Sequence, residues 1–211
     1  MPPQFNLTPE HIDTIRARRE TAREWYRANP QSDAEITLYY QTSKALPAEL
    51  EAWHQEPTRA SWTETIVEFA QKTERRLVVD IGCGLGHDLR ALRAAGVMGW
   101  GVEPNQAMRE ELQAQGIICT ETLDEAHLEQ ADLILLIDVL EHLNNPAALL
   151  ATISHRTRLG TFLLEHTPTW DLSDPLHLLS NYGWLTKDHL PGLGWRFAGK
   201  PEWPVGCWLR V

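Results

Sequence analysis

Residues 77–86 constrain the fold more than any other stretch. Leu77-Val78-Val79-Asp80 reads as a short buried strand, and it passes directly into Ile81-Gly82-Cys83-Gly84-Leu85-Gly86. Glycine at every second position lets the backbone turn sharply and lets another group come close to it. His87 to Ala95 then carries a helical pattern that stops at Gly96. Strand, glycine turn and helix form the unit from which parallel sheets are assembled.

The rhythm continues downstream. Val97–Glu103 reads as a strand, Asn105–Gln115 as a helix closed by Gly116, and Ile117–Thr120 as a third strand. Asp124–Glu129 suggests a short helix before the most apolar strand, Asp132–Asp138; Pro146–His155 is helical and Thr161–Glu165 is a fifth strand. The end differs, because Trp195–Gly199 and Val205–Val211 flank the turn Lys200-Pro201-Glu202-Trp203-Pro204 and read as an antiparallel pair. Upstream the chain is helical. Thr8-Pro9-Glu10 is a helix start for a segment reaching about Ala28, followed by Asp33–Ser43, Ala48–His54 and Ser61–Lys72. Two parts follow, a helical extension over residues 1–73 and an α/β domain over residues 74–211.

Composition narrows the partners. A net charge of −10 argues against gripping long nucleic acid, which needs Lys and Arg to neutralise phosphates. A small molecule is the expected partner. The longest apolar run, Ala131 to Leu140, is broken by Asp132 and Asp138 and is too short for a bilayer, and the N-terminus has no basic-then-apolar leader; a cytoplasmic protein without a membrane anchor is expected. Cys83, Cys119 and Cys207 are odd in number and far apart, which excludes a disulfide framework, and no metal site is expected.

The chemistry begins with the glycine loop. Glycine-rich strand–helix loops also cradle dinucleotides, but Gly82-Cys83-Gly84-Leu85-Gly86 lacks the G-x-G-x-x-G spacing of that loop. Glu103 ends the next strand in Gly101-Val102-Glu103-Pro104-Asn105, where its two carboxylate oxygens can accept both hydroxyls of a ribose. A third motif, Asp138-Val139-Leu140-Glu141-His142-Leu143 with Pro146, follows the apolar strand.

Together the three motifs resemble those of class I S-adenosylmethionine-dependent methyltransferases, and are similar to the branch containing the ubiquinone-biosynthesis O-methyltransferases. The resemblance covers about Leu77 to Val211. It implies a Rossmann-like seven-stranded sheet, the last strand antiparallel, with helices on both faces. It implies S-adenosylmethionine as cofactor, its methionine part held by Asp80, Gly82, Cys83, Gly84 and Gly86 and its ribose by Glu103 beside Pro104. Thr122 and Leu123 would lie near the adenine, and Asp138 and Val139 near the amino-acid moiety. Many relatives carry an Asp after the third strand for the adenine amine; here the segment reads Thr120-Glu121-Thr122-Leu123-Asp124.

Methyl transfer needs alignment above all, and a hydroxyl acceptor also needs a base. Candidates cluster at the carboxyl ends of the fourth and fifth strands, where an open α/β sheet presents its site. They are Glu141, His142, His166, Trp170, Asp171, His177 and Tyr182, of which His142 and His177 are taken as the bases. Glu165 and His166 are read as strand-end residues facing the pocket rather than catalysts. The N-terminal helices, with Tyr39, Tyr40, Trp53, His54 and Trp62, are expected to form a lid. The expected activity is methylation of a small acceptor at oxygen. Transfer to nitrogen, carbon or a peptide, or a non-catalytic cofactor-binding module, would carry the same three motifs.

Overall fold

The computed structural model describes residues 32–43, 46–167, 186–200, 203 and 205–211, with isolated helical positions in the first 24 residues. The expected helix over residues 8–28 therefore lies largely outside the described residues. Helix α1, Asp33–Thr42, is opened by a capping box in which Ser32 Oγ accepts from Glu35 N and the Glu35 carboxylate accepts from Ser32 N. Helix α2 is Leu46–His54, and α3 is Pro57–Lys72. The third helix starts four residues before Ser61 because Pro57 is suited to a first helical position, where no backbone donor is needed.

Strands and helices then alternate: β1 Leu77–Ile81, α4 His87–Ala94, β2 Met98–Val102, α5 Gln106–Ala114, β3 Ile118–Thr120, β4 Leu133–Ile137, α6 Pro146–Arg156 and β5 Phe162–His166. Asn105 and Asn145 cap α5 and α6 through side-chain oxygens. The expected helix over Asp124–Glu129 is instead two 3-10 turns, Leu123–Glu125 and Leu128–Gln130. Between them Ala126 is extended, so that it and Leu128 both reach the core. The chain closes with α7 Thr186–His189, β6 Trp195–Phe197 and β7 Gly206–Arg210.

The seven strands form one sheet in the order β3-β2-β1-β4-β5-β7-β6. The first five are parallel, and β7 runs antiparallel to β5 and β6. Every residue of β4 is buried, which explains its unbroken apolar sequence. Leu133, Leu135 and Ile137 pack with Trp62, Ile66 and Phe69 of α3, while Ile134 and Leu136 pack with Leu150 and Ile153 of α6. Helix α3 thus belongs to the layer covering the sheet. The chain order reverses between β1 and β4, so their carboxyl ends bound the crevice where such sheets take ligands.

Candidate active site

The loop after β1 folds over the end of β2, with the backbone N–H groups of Gly82 and Cys83 donating to the Val102 carbonyl at 2.8 and 3.2 Å. Gly82 has φ +71°, and a Cβ there would lie 2.6 Å from a Val139 methyl. Both the left-handed backbone and the close approach of the segment after β4 therefore require glycine. Gly84, at φ +53°, faces Leu50 of α2. Gly86 opens α4, also left-handed.

Glu103, 5% exposed, anchors the loop from β2's end. Its Oε2 accepts from Gly84 N at 2.8 Å and its Oε1 from Asn105 N at 2.7 Å, which leaves each oxygen a further lone pair. Burial pushes its pKa up, against the lowering effect of those two bonds. Asp80 is buried inside β1. Burial, and after it the neighbouring Asp88 carboxylate, raise its pKa well above the usual range. The Cys83 thiol turns into the core, 3.8 Å from Cys119 Sγ, so this residue offers the loop surface only its backbone. Pro104 is exposed and its carbonyl accepts from Arg109; Thr122 is exposed at the rim, and Leu123 is half-buried against the core.

At the end of β4 the geometry is different. Asp138 has φ +54°, one of two non-glycine residues with positive φ among the described residues. Its Oδ1 lies 2.5 Å from His166 Nδ1 at the end of β5, and its Oδ2 accepts from Trp53 Nε1 of α2 at 3.3 Å. The His166 ring lies against Trp62, centroids 4.1 Å apart. His142, in the 3-10 turn Leu140–His142, lies against Tyr40 of α1, also at 4.1 Å. His177, with Trp170, Asp171 and Tyr182, lies outside the described residues.

Helices α1 and α2 cover this edge through contacts that no local pattern announced. Asn105 Nδ2 donates to the carbonyls of Tyr40 and Ser43 at 3.1 and 3.3 Å. Leu50, Tyr39 and Tyr40 pack on Leu85 and Met108. His54 stacks on His87 of α4 at 4.0 Å, and His87 Nε2 donates to Glu51 at 3.0 Å. Burial, then the neighbouring His87, depress the His54 pKa to about 3. Below them Arg59 of α3 grips Asp88 of α4 at 2.5 Å, both nearly fully buried, and Thr63 donates to the same carboxylate. The Asn105 cap was legible in sequence; its second use, tying α1 down, was not. Beside β5 a cavity of about 720 Å³ is lined by Glu165, His166, Lys187, Trp195, Phe197 and Trp208 among others.

A family model described as a methyltransferase domain matches residues 52–198. The chain is a member of the S-adenosylmethionine-dependent methyltransferases. Solved structures share its fold at low identity. Magnesium protoporphyrin IX methyltransferase from Synechocystis PCC 6803, with bound S-adenosylmethionine, superposes with a TM-score of 0.56 and 15% identity, over 86% of this chain and 98% of that one. An O-methyltransferase family protein from Burkholderia thailandensis gives 0.63 and 15%, over 97% and 73%. Mitomycin 7-O-methyltransferase gives 0.57 and 20%, over 97% and 69%. No curated protein matches the chain. The methyltransferase's seven-stranded sheet is the one its motifs implied. Among the described residues, no helix is long and apolar enough to cross a membrane.

Proposed function

We propose that this methyltransferase transfers a methyl group to the oxygen of a small molecule, with α1 and α2 as the lid over the site. Bound S-adenosylmethionine supplies an activated methyl group on a positively charged sulfur. The residues present fit such a group. Asp80 is a buried carboxyl at the foot of the glycine loop, and Glu103 retains free lone pairs at the adjoining strand end. A cationic nucleoside would compensate the first and offer hydroxyls to the second. Asp80, Gly82, Gly84 and Gly86 would hold the methionine part, Glu103 the ribose, and Thr122 and Leu123 would edge the adenine. Cys83 and Pro104 would contribute only main chain. Asp138 and Val139 would close the far side.

The observation that carries the small-acceptor reading is the roof itself. Leu50 sits over Gly84, Trp53 reaches Asp138 and Tyr40 covers His142, so α1 and α2 span both strand ends. A polymer would find this edge covered, while a small molecule can occupy the nearby cavity, whose volume suits one. The cavity's aromatic wall of Trp195, Phe197 and Trp208 favours an unsaturated ring. The proton of a hydroxyl acceptor would pass to one of the histidines at the ends of β4 and β5.

Calorimetry with S-adenosylmethionine and its demethylated product tests the cofactor assignment. Glu103→Ala is expected to weaken binding by about 100-fold, the worth of hydrogen bonds to a charged group. Transfer of label from S-adenosylmethionine to hydroxylated aromatics, and none to peptides or RNA, tests the acceptor class. Peptide labelling under the same conditions would sink it.

A further inference from the structure

Asp138 and His166 are joined twice. The Asp138 N–H donates to the His166 carbonyl at 2.9 Å, and the Asp138 carboxylate meets His166 Nδ1 at 2.5 Å. The left-handed backbone at Asp138 departs from the extended geometry of β4, and there the carboxylate reaches across to β5. Its second oxygen is held by Trp53, and Trp62 lies against the imidazole. The ring is therefore fixed in position, and its tautomer is fixed as well. A carboxylate can only accept, so Nδ1 carries a proton, and in the neutral ring Nε2 keeps its lone pair. Among the described residues Nε2 has no hydrogen-bond partner, and the side chain is 19% exposed. His166 also lies in the wall of the 720 Å³ cavity.

A carboxylate that orients an imidazole, with an unengaged nitrogen at the carboxyl edge of a parallel sheet, is an arrangement for taking a proton. We propose that His166 is the general base for the acceptor hydroxyl and that Asp138 is the residue that positions it. This assignment rests on the methyltransferase reading with a hydroxyl acceptor. It also narrows the acceptor to a phenol or enol, since an imidazole accepts such a proton far more readily than that of an aliphatic alcohol. In the reaction the O–H bond breaks with its proton going to Nε2, and an oxygen lone pair forms the bond to the methyl carbon. The bond from that carbon to sulfur breaks with its electrons on sulfur, leaving a neutral thioether. The imidazolium, paired with Asp138, returns its proton to water.

Histidine-selective nitrogen NMR of the full chain reads the tautomer without any acceptor. His166 is expected to show a protonated Nδ1 and a bare Nε2. D138G, which keeps the left-handed backbone and removes the carboxylate, is expected to shift the population toward protonated Nε2. A wild-type His166 with its proton on Nε2 would overturn the proposal. Turnover separates base from brace, using catechol and thiophenol as probes, because thiophenol ionises near neutral pH and needs no base. H166N retains a donor toward Asp138. It is expected to lose about 100-fold or more in kcat/KM for catechol, within the usual range for a general base, and less than about fivefold for thiophenol. Equal loss on both probes would show a bracing role and overturn the assignment. Wild-type enzyme that binds the demethylated cofactor yet methylates thiophenol and not catechol, or neither probe, would overturn the phenolic acceptor and with it the base. Failure to bind the cofactor product would instead overturn the cofactor assignment on which both rest.

Discussion

The two halves of the sheet edge are organised by different means. At β1 and β2 the backbone dominates: glycines turn, amide N–H groups donate, and Glu103 is held by two of them within a short stretch of chain. At β4 and β5 side chains dominate, and Asp138, His166, Trp53 and Trp62 come from four separate elements. A contiguous loop suits a cofactor whose shape does not vary. On the proposed assignment, a surface assembled from dispersed side chains can be altered for a new acceptor without disturbing the loop.

The Arg59–Asp88 pair joins the halves, since α3 covers β4 and β5 while α4 follows the glycine loop. R59A strands a buried carboxylate and is expected to cost about 3–5 kcal/mol in urea unfolding. A loss under 1 kcal/mol would show that the halves do not depend on this joint. Next in size, G82A combines the left-handed penalty with the Val139 clash and is expected to cost about 2–3 kcal/mol. G160A is its control, because Gly160 is left-handed at φ +87° but meets nothing within 4 Å; about 1–2 kcal/mol is expected there. Equal costs would remove the close approach from the account of the loop.

Acid separates the halves further. His54 is folded with a pKa of about 3, below its ordinary 6.5, so the unfolded chain takes up the proton first. Its contribution is complete above pH about 6.5 and is lost as pH falls toward 3, with a loss of about 2 kcal/mol expected by pH 5. The sign is reversed at Asp80 and Glu103, whose raised pKa values cost stability as pH rises above the ordinary carboxylate range. Between pH 7.5 and 5 the urea midpoint of the wild type should shift downward relative to that of H54F, in which the histidine contribution is absent. The smallest effect is expected from W53F, which removes one donor to Asp138. A cost of about 1 kcal/mol is expected, seen as about fivefold faster release of the demethylated cofactor in stopped flow.

The glycine loop, Glu103 and the strand–helix rhythm could be read along the chain because each shows in a short run of residue types, although Glu103 meets Gly84 19 residues upstream. Strand and helix boundaries came within a few residues for the same reason, and α3 and the Asp124–Glu129 segment departed where Pro57 and the burial of Ala126 intervened. His166 is the instructive case. It reads as the end of a strand, and nothing within the fifth strand signals the residue 28 positions upstream that meets it. Likewise Trp53 reads as an aromatic in a short helix, yet its indole is fixed by a carboxylate 85 residues away.

By itself the sequence determined the sheet, the family and the turn of the glycine loop, because glycine conformation, strand burial and capping are local consequences of residue type. Tertiary structure alone decided which side chains meet at β4 and β5 and how the first helices cover them. Hydrogen bonds such as Asp138–His166 and Asn105–Tyr40 form between segments far apart in the chain. Their existence depends on strand order and helix docking, which packing of the whole core sets.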